Sequence, residues 1–116
     1  MNTIVRWLTV MTPEGKIQRE CMVVVSKHGG IPLRLQSGLF YTSNGTPVQI
    51  GIPGLPDSLA LLPGGRAVFM EFKTKTGRLR DDQRKFINAL HDLGYEAYVV
   101  RSKEEAESIC AHGMSL

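Results

Sequence analysis

Gly54-Leu55-Pro56-Asp57-Ser58-Leu59-Ala60-Leu61-Leu62-Pro63-Gly64-Gly65-Arg66-Ala67-Val68-Phe69-Met70-Glu71-Phe72-Lys73 is the stretch that decides the fold. Two short apolar runs, 58–62 and 67–73, flank Pro63-Gly64-Gly65-Arg66, a tight connection that favours an antiparallel hairpin. Side chains alternate along a strand, so Glu71 and Lys73 share one face while Met70 and Phe72 take the other. With the turn at 63–66, Asp57 at the start of the first strand pairs across from roughly residues 71 to 73. Two carboxylates and an ammonium therefore converge at one end of a sheet.

Towards the N-terminus, Thr12-Pro13-Glu14 reads as a helix start, with Thr12 as N-cap and Pro13 at the first helical position. The helix is expected to reach about Lys27, burying Ile17, Cys21, Val24, Val25 and His28 and stopping at Gly29-Gly30. Glu20 lies along the edge of that stripe. From 31 onward, short apolar runs between turn residues predict strands near 32–35, 39–41 and 47–50. Towards the C-terminus, a helix is expected from about Asp81 to Leu93, burying Phe86, Ile87, Leu90 and Leu93 and ending at Gly94. A strand at 95–101 follows, and Ser102-Lys103-Glu104-Glu105 forms a capping box that opens a last helix. An antiparallel hairpin ahead of a crossover helix and a returning strand predicts a mixed α/β sandwich.

At 116 residues, 42% of them hydrophobic, the chain has room for one domain with a sizeable core. No linker or repeat divides it, and the core is expected over about 12–109 of a single domain, 1–116. The net charge of +3 is modest, but seven of the 14 Lys and Arg fall between 66 and 85 (Arg66, Lys73, Lys75, Arg78, Arg80, Arg84, Lys85), against Glu71, Asp81 and Asp82. Cys21 and Cys110 lack metal-ligand spacing and are too few for a disulfide framework, which suits a reducing, cytoplasmic setting. The apolar run 3–11, with Trp7 packing inside it, is too short and too interrupted by Arg6 to span a membrane.

Paired acids suit a hard cation such as Mg²⁺ or Mn²⁺, and a neighbouring lysine can orient the attacking water or offset phosphate charge. Asp57 and Glu71 are the expected metal pair and Lys73 the expected catalytic cation. Glu20 can reach the cluster from the first helix as a direct or water-mediated ligand. Gln83 can hydrogen-bond a water or phosphate beside Lys73. Arg78, Arg80, Arg84 and Lys85 form a basic rim for phosphate contacts, and Arg34 is a further candidate for the DNA backbone. A lone Glu-x-Lys is commonly an exposed salt bridge. Asp57 standing 14 positions before Glu71 across one short hairpin makes that reading the weaker one here. His28, His91 and His112 show no metal or nucleophile spacing and read as structural or surface residues.

Gly54-Leu55-Pro56-Asp57, then 65–73, then Gly77-Arg78-Leu79 with Gln83, then Val99-Val100-Arg101-Ser102, together resemble the VRR-NUC domain, the virus-type replication-repair branch of the PD-(D/E)xK nucleases. The resemblance spans about Glu20 to Ile109. It implies a restriction-endonuclease-like αβββαβ core and Mg²⁺ or Mn²⁺ as cofactor. It implies phosphodiester hydrolysis of DNA, with Asp57, Glu71, the Phe72 backbone carbonyl and Glu20 as metal ligands. It also implies Lys73 as catalytic lysine and Gln83 as the family's glutamine. Lys75 joins Arg34, Arg78, Arg80 and Arg84 as an expected DNA contact. Stand-alone viral and bacterial members are similar to homodimeric nucleases that resolve four-way (Holliday) junctions, since two symmetric nicks call for a two-fold pair of sites. A DNA-binding module that keeps the fold without catalysis is the alternative. One departure from the family pattern is Arg80 standing where an N-cap is expected.

Overall fold

A computed structural model describes residues 12–112; the N-terminal run with Trp7 lies outside the described residues. Helix α1, Pro13–Lys27, starts as expected: Thr12 is extended, its hydroxyl accepts a hydrogen bond from the Gly15 N–H at 3.0 Å, and Pro13 opens the first turn. Gly29, at φ +79°, lies beyond the C-cap. At Gly30 a Cβ would lie 2.8 Å from the Leu61 carbonyl oxygen, so only glycine lets the chain pass this close into β1, Ile31–Arg34. After β1 come β2, Gly38–Tyr41, and β3, Pro47–Ile50. The chain continues with β4, Ser58–Leu62, β5, Arg66–Phe72, helix α2, Asp81–Asp92, β6, Glu96–Val100, and helix α3, Lys103–His112.

The main sheet has the order β1-β4-β5-β6. β4 and β5 are the expected antiparallel hairpin, with Ser58 opposite Met70 and Leu62 opposite Arg66. β6 returns parallel to β5 through α2, which supplies the mixed character. Among the described residues β2 and β3 pair only with each other, as a separate two-stranded ribbon between β1 and β4 in the chain.

The alternation of β5 sorts the two layers. Val68, Met70 and Phe72 face α1 and α3, joining Cys21, Val24, Val25, Ala106 and Ile109 in the larger core. On the opposite face Phe69 packs with Ile87, Leu90, Ala97, Phe86 and Val99 beneath α2. Glu71 shares that second face, which brings it under the first turn of α2. Truncating Phe72 to alanine in the larger core should cost about 3–5 kcal/mol.

Leu93 corrects the sequence reading: it is 73% exposed, not part of the buried face of α2. The helix ends at Asp92, and the chain reverses at Gly94 (φ +91°) with the Tyr95 N–H donating back to the Leu90 carbonyl at 2.9 Å. Leu93 therefore sits on the outside of the cap. At the start of α3 the Glu105 N–H donates to the Ser102 hydroxyl at 3.2 Å, the first half of the expected capping box. The Glu105 carboxylate instead accepts from the Arg101 N–H at 3.4 Å.

Candidate active site

Asp57 precedes β4 by one residue, and the β4–β5 register carries it to the level of Glu71. It is held from two sides. The Phe72 N–H donates to Asp57 Oδ2 at 2.8 Å, and the Leu35 N–H beyond β1 donates to the Asp57 carbonyl at 2.8 Å. Pro56 behind it is fully buried. Two residues earlier, Gly54 sits at φ +86°, where a Cβ would lie 2.2 Å from the Asp82 carbonyl oxygen, so the loop that delivers Asp57 rests directly on the first turn of α2.

Glu71 is 2% exposed, a depth at which a carboxylate is costly without partners. Its Oε1 accepts a hydrogen bond from the Gln83 side-chain N–H at 2.8 Å and lies 3.8 Å from Lys73 Nζ, while its Oε2 is buried and no group of the described residues donates to it. Burial pushes its pKa from 4.5 up to about 8; the charge of Asp57 adds to the rise, and the Lys73 ammonium opposes it. Lys73 continues the alternation of β5, is 8% exposed, and donates its backbone N–H to the Val100 carbonyl at 3.1 Å.

Gln83 links the buried acid to the first turn of α2. Its side-chain oxygen accepts from the Arg80 N–H at 2.9 Å and its amide nitrogen donates to Glu71, so it brackets the acid to the helix start. The same bond explains how α2 begins at Arg80 without a capping hydroxyl: the glutamine three residues on satisfies the cap backbone, and Asp82 Oδ1 accepts from the Gln83 N–H at 2.9 Å.

Glu20 is not among the side chains brought into contact with Glu71. The structure sets it against Lys103 Nζ at 3.9 Å, and the acid of α1 whose charge bears on Glu71 is Glu14. Glu14 stands three before Ile17 and seven before Cys21, so extending the buried stripe backwards by one turn finds it. Glu20, six residues further along a helix of about 3.6 residues per turn, faces elsewhere. Arg101 is the other residue the sequence reading left without a role. One of its terminal nitrogens, Nη1, donates to the carbonyls of Thr74 at 2.6 Å, Gly77 at 2.7 Å and Lys75 at 3.4 Å, pinning the turn that follows Lys73.

Of the expected DNA contacts, Lys75 and Arg78 project exposed from that turn, and Arg34 is exposed at the end of β1 opposite Ser58. Arg80 pairs with Asp82 at 3.2 Å and Arg84 with Asp81 at 2.9 Å. Arg66 lies at the far end of β5, where it forms a bidentate pair with Glu96 at 2.6 and 2.7 Å. His28 pairs with Glu107, and His91 Nε2 lies 2.7 Å from the Ala97 carbonyl oxygen. Among the described residues, no three His, Cys, Asp or Glu side chains come together as a metal cage, and no helix is long and apolar enough to cross a membrane.

A four-stranded mixed sheet flanked by helices, with Asp57, Glu71 and Lys73 gathered where β4 begins and β5 ends, defines the restriction-endonuclease-like class of nuclease fold. The chain belongs to the VRR-NUC family, whose domain profile matches residues 46–104 and so takes in Asp57, Glu71, Lys73, Gln83 and Arg101. The fold is that of a solved VRR_NUC domain, with a TM-score of 0.67 at 23% identity, covering 89% of this chain and 99% of that one. No curated protein sequence matches the chain.

Proposed function

We propose that this chain is a Mg²⁺- or Mn²⁺-dependent, structure-selective DNA endonuclease that hydrolyses phosphodiester bonds in branched DNA such as four-way junctions. The observation that carries the reading is the buried Glu71 Oε2, to which no group of the described residues donates and which stands beside the Asp57 carboxylate, close enough to share a proton with it, with Lys73 Nζ 3.8 Å from the same acid. A buried carboxylate oxygen left open is costly to folding and useful to a ligand. The donor set fits a hard cation: Asp57, Glu71 and the Phe72 carbonyl would hold it, with Glu14, in place of Glu20, supplying further negative charge. When bound, the cation supplies Lewis-acid polarisation of the phosphate and a more acidic water.

The remaining roles belong to the chain. Gln83 fixes the rotamer of Glu71, and the Phe72 N–H fixes that of Asp57. Lys73 keeps an ammonium beside the acids, where it orients the attacking water and offsets charge developing on the phosphate. Lys75 and Arg78 stand ready on the Arg101-pinned turn for backbone phosphates.

The two-fold pair of sites that a four-way junction calls for draws support from the β2–β3 ribbon, whose Leu39, Phe40, Tyr41, Val48 and Ile50 are all exposed among the described residues and offer apolar surface to a second copy. The reading is tested by incubating labelled four-way, flap and linear DNA with Mg²⁺ or Mn²⁺. Cleavage that survives Asp57→Ala or Lys73→Ala contradicts these assignments, and binding without cleavage on every substrate favours a non-catalytic DNA-binding module.

A further inference from the structure

The free positive charge of this protein is not confined to the segment where the sequence concentrates it, in which Lys75, Arg78 and Lys85 are the cations without an ion pair among the described residues. Within 66–85, Arg66, Lys73, Arg80 and Arg84 each have a carboxylate partner. On the other side of the sheet, Lys16, Arg19 and Lys27 of α1 have no ion-pair partner among the described residues. With Lys103 of α3 they line an open groove over the α1–α3 seam, floored in part by Val23, in which Glu20 is the single acid. Among the described residues Glu20 forms an ion pair with Lys103 alone, at 3.9 Å. The groove therefore carries three uncompensated cations over an apolar floor.

We infer that this groove is a second docking surface for the sugar-phosphate backbone of the nucleic acid, separate from the basic turn after Lys73. The inference rests on the DNA-nuclease reading and adds a contact that reading does not contain. Charge complementarity selects the partner: a polyanion of regular spacing matches a row of cations on a helix better than a compact ligand does. Lys16 and Lys27 are about 16 Å apart along the axis at about 1.5 Å per residue, close to five nucleotide steps at about 3.4 Å each. Arg19 lies between them, and the long aliphatic stems of the three can lie along the Val23 floor while their heads stay in water. α1 also carries Glu14 in its first turn, whose charge is felt at Glu71, so the row leads away from the candidate active site along one rigid element. A branched substrate has more than one arm to place, and a second backbone contact on the opposite layer is a way to hold one while another is cut.

The test is fluorescence-anisotropy binding of labelled four-way and linear DNA to the full chain, with Ca²⁺ replacing the catalytic cation, across a salt series. Lys16→Gln/Arg19→Gln/Lys27→Gln should weaken binding on the order of tenfold and reduce the log–log salt slope by about 0.9 per lost contact. The single-turnover cleavage rate at saturating protein should be unchanged, because none of the three touches the candidate active site. Glu20→Gln should act in the opposite sense and tighten binding, since it removes the groove's only acid and frees Lys103. Thermal melts verify that each variant folds, and single Lys16→Gln and Lys27→Gln proteins repeat the measurement at lower amplitude. Unchanged affinity and slope in the triple variant, with wild-type binding intact, overturn the groove alone. Wild-type protein that binds no DNA, or binds anionic phospholipid vesicles in its place, overturns the nuclease reading as well.

Discussion

The side chain of Gln83 donates to Oε1 of Glu71 at 2.8 Å, and Oε2 of the same carboxyl is buried with no group of the described residues donating to it. One oxygen is used to aim the acid and the other is left open. Gln83→Ala removes that aim and also strips the Arg80 N–H of its acceptor. Unfolding experiments should show a loss of about 1–3 kcal/mol, the cost of a buried polar group left unsatisfied. Cleavage, or divalent-metal affinity, should fall about 10–100-fold. Wild-type activity in a folded Gln83→Ala protein would remove Gln83 from the site.

The pKa of Glu71 has a consequence for stability. Its carboxyl is raised in the folded chain from 4.5 to about 8, chiefly by burial, so the folded state holds a proton that the unfolded state releases. Its contribution is complete below pH 4.5 and is lost as pH climbs through about 8. Metal-free protein should therefore melt at progressively lower temperature over that window, and Glu71→Gln should flatten the decline. Mg²⁺ or Mn²⁺ should restore more stability at the alkaline end, because a ligand carboxylate must lose its proton to bind. A slope in Glu71→Gln equal to the wild type would assign the effect to other groups.

The two acids of α1 separate cleanly. Glu14→Gln should reduce metal-dependent cleavage by roughly tenfold or more, as loss of a supporting charge at a metal site does. Glu20, paired with Lys103 at 3.9 Å, should cost cleavage much less when changed to Gln. Metal titrations of the two proteins side by side decide it; a larger loss for Glu20→Gln would reinstate the sequence reading.

Gly54 and Gly64 both lie at positive φ, +86° and +82°, but only at Gly54 would a Cβ meet backbone, the Asp82 carbonyl oxygen at 2.2 Å. Alanine at Gly64 should therefore cost about 1 kcal/mol in chemical denaturation, the backbone term alone. Alanine at Gly54 should cost about 1–3 kcal/mol beyond that, and it should lower activity by shifting the Asp57 loop off α2. Equal costs at the two positions would show that the close approach has no energetic weight.

The fold was legible because its signals are local. The Pro63-Gly64-Gly65 turn, the alternation through Glu71 and Lys73, and the Thr12-Pro13 helix start each appear where residues alone place them, to within a residue or so. The placement of Asp57 followed from counting back from the turn. What stayed hidden depends on the angle between distant elements. Glu14 and Glu20 both border the apolar stripe of α1 in sequence; extending the stripe back one turn makes Glu14 a candidate, and the packing of the helix on the sheet decides between the two. Arg101 is one charge after an apolar strand; its grip on three carbonyls needs the parallel return of β6 beside β5. The β2–β3 ribbon reads as strands correctly, while its separation from the main sheet carries no local mark.

The central claim is that Asp57, Glu71 and Lys73 form one metal-dependent phosphodiesterase site, and the most direct measurement is single-turnover cleavage of a labelled four-way junction with and without Mg²⁺ or Mn²⁺. Wild-type protein should cleave only with the cation, and Lys73→Ala should lose at least about 100-fold in rate while still binding the junction, as removal of a transition-state charge does. Cleavage that persists in chelator, or at wild-type rate in Lys73→Ala, would contradict the account.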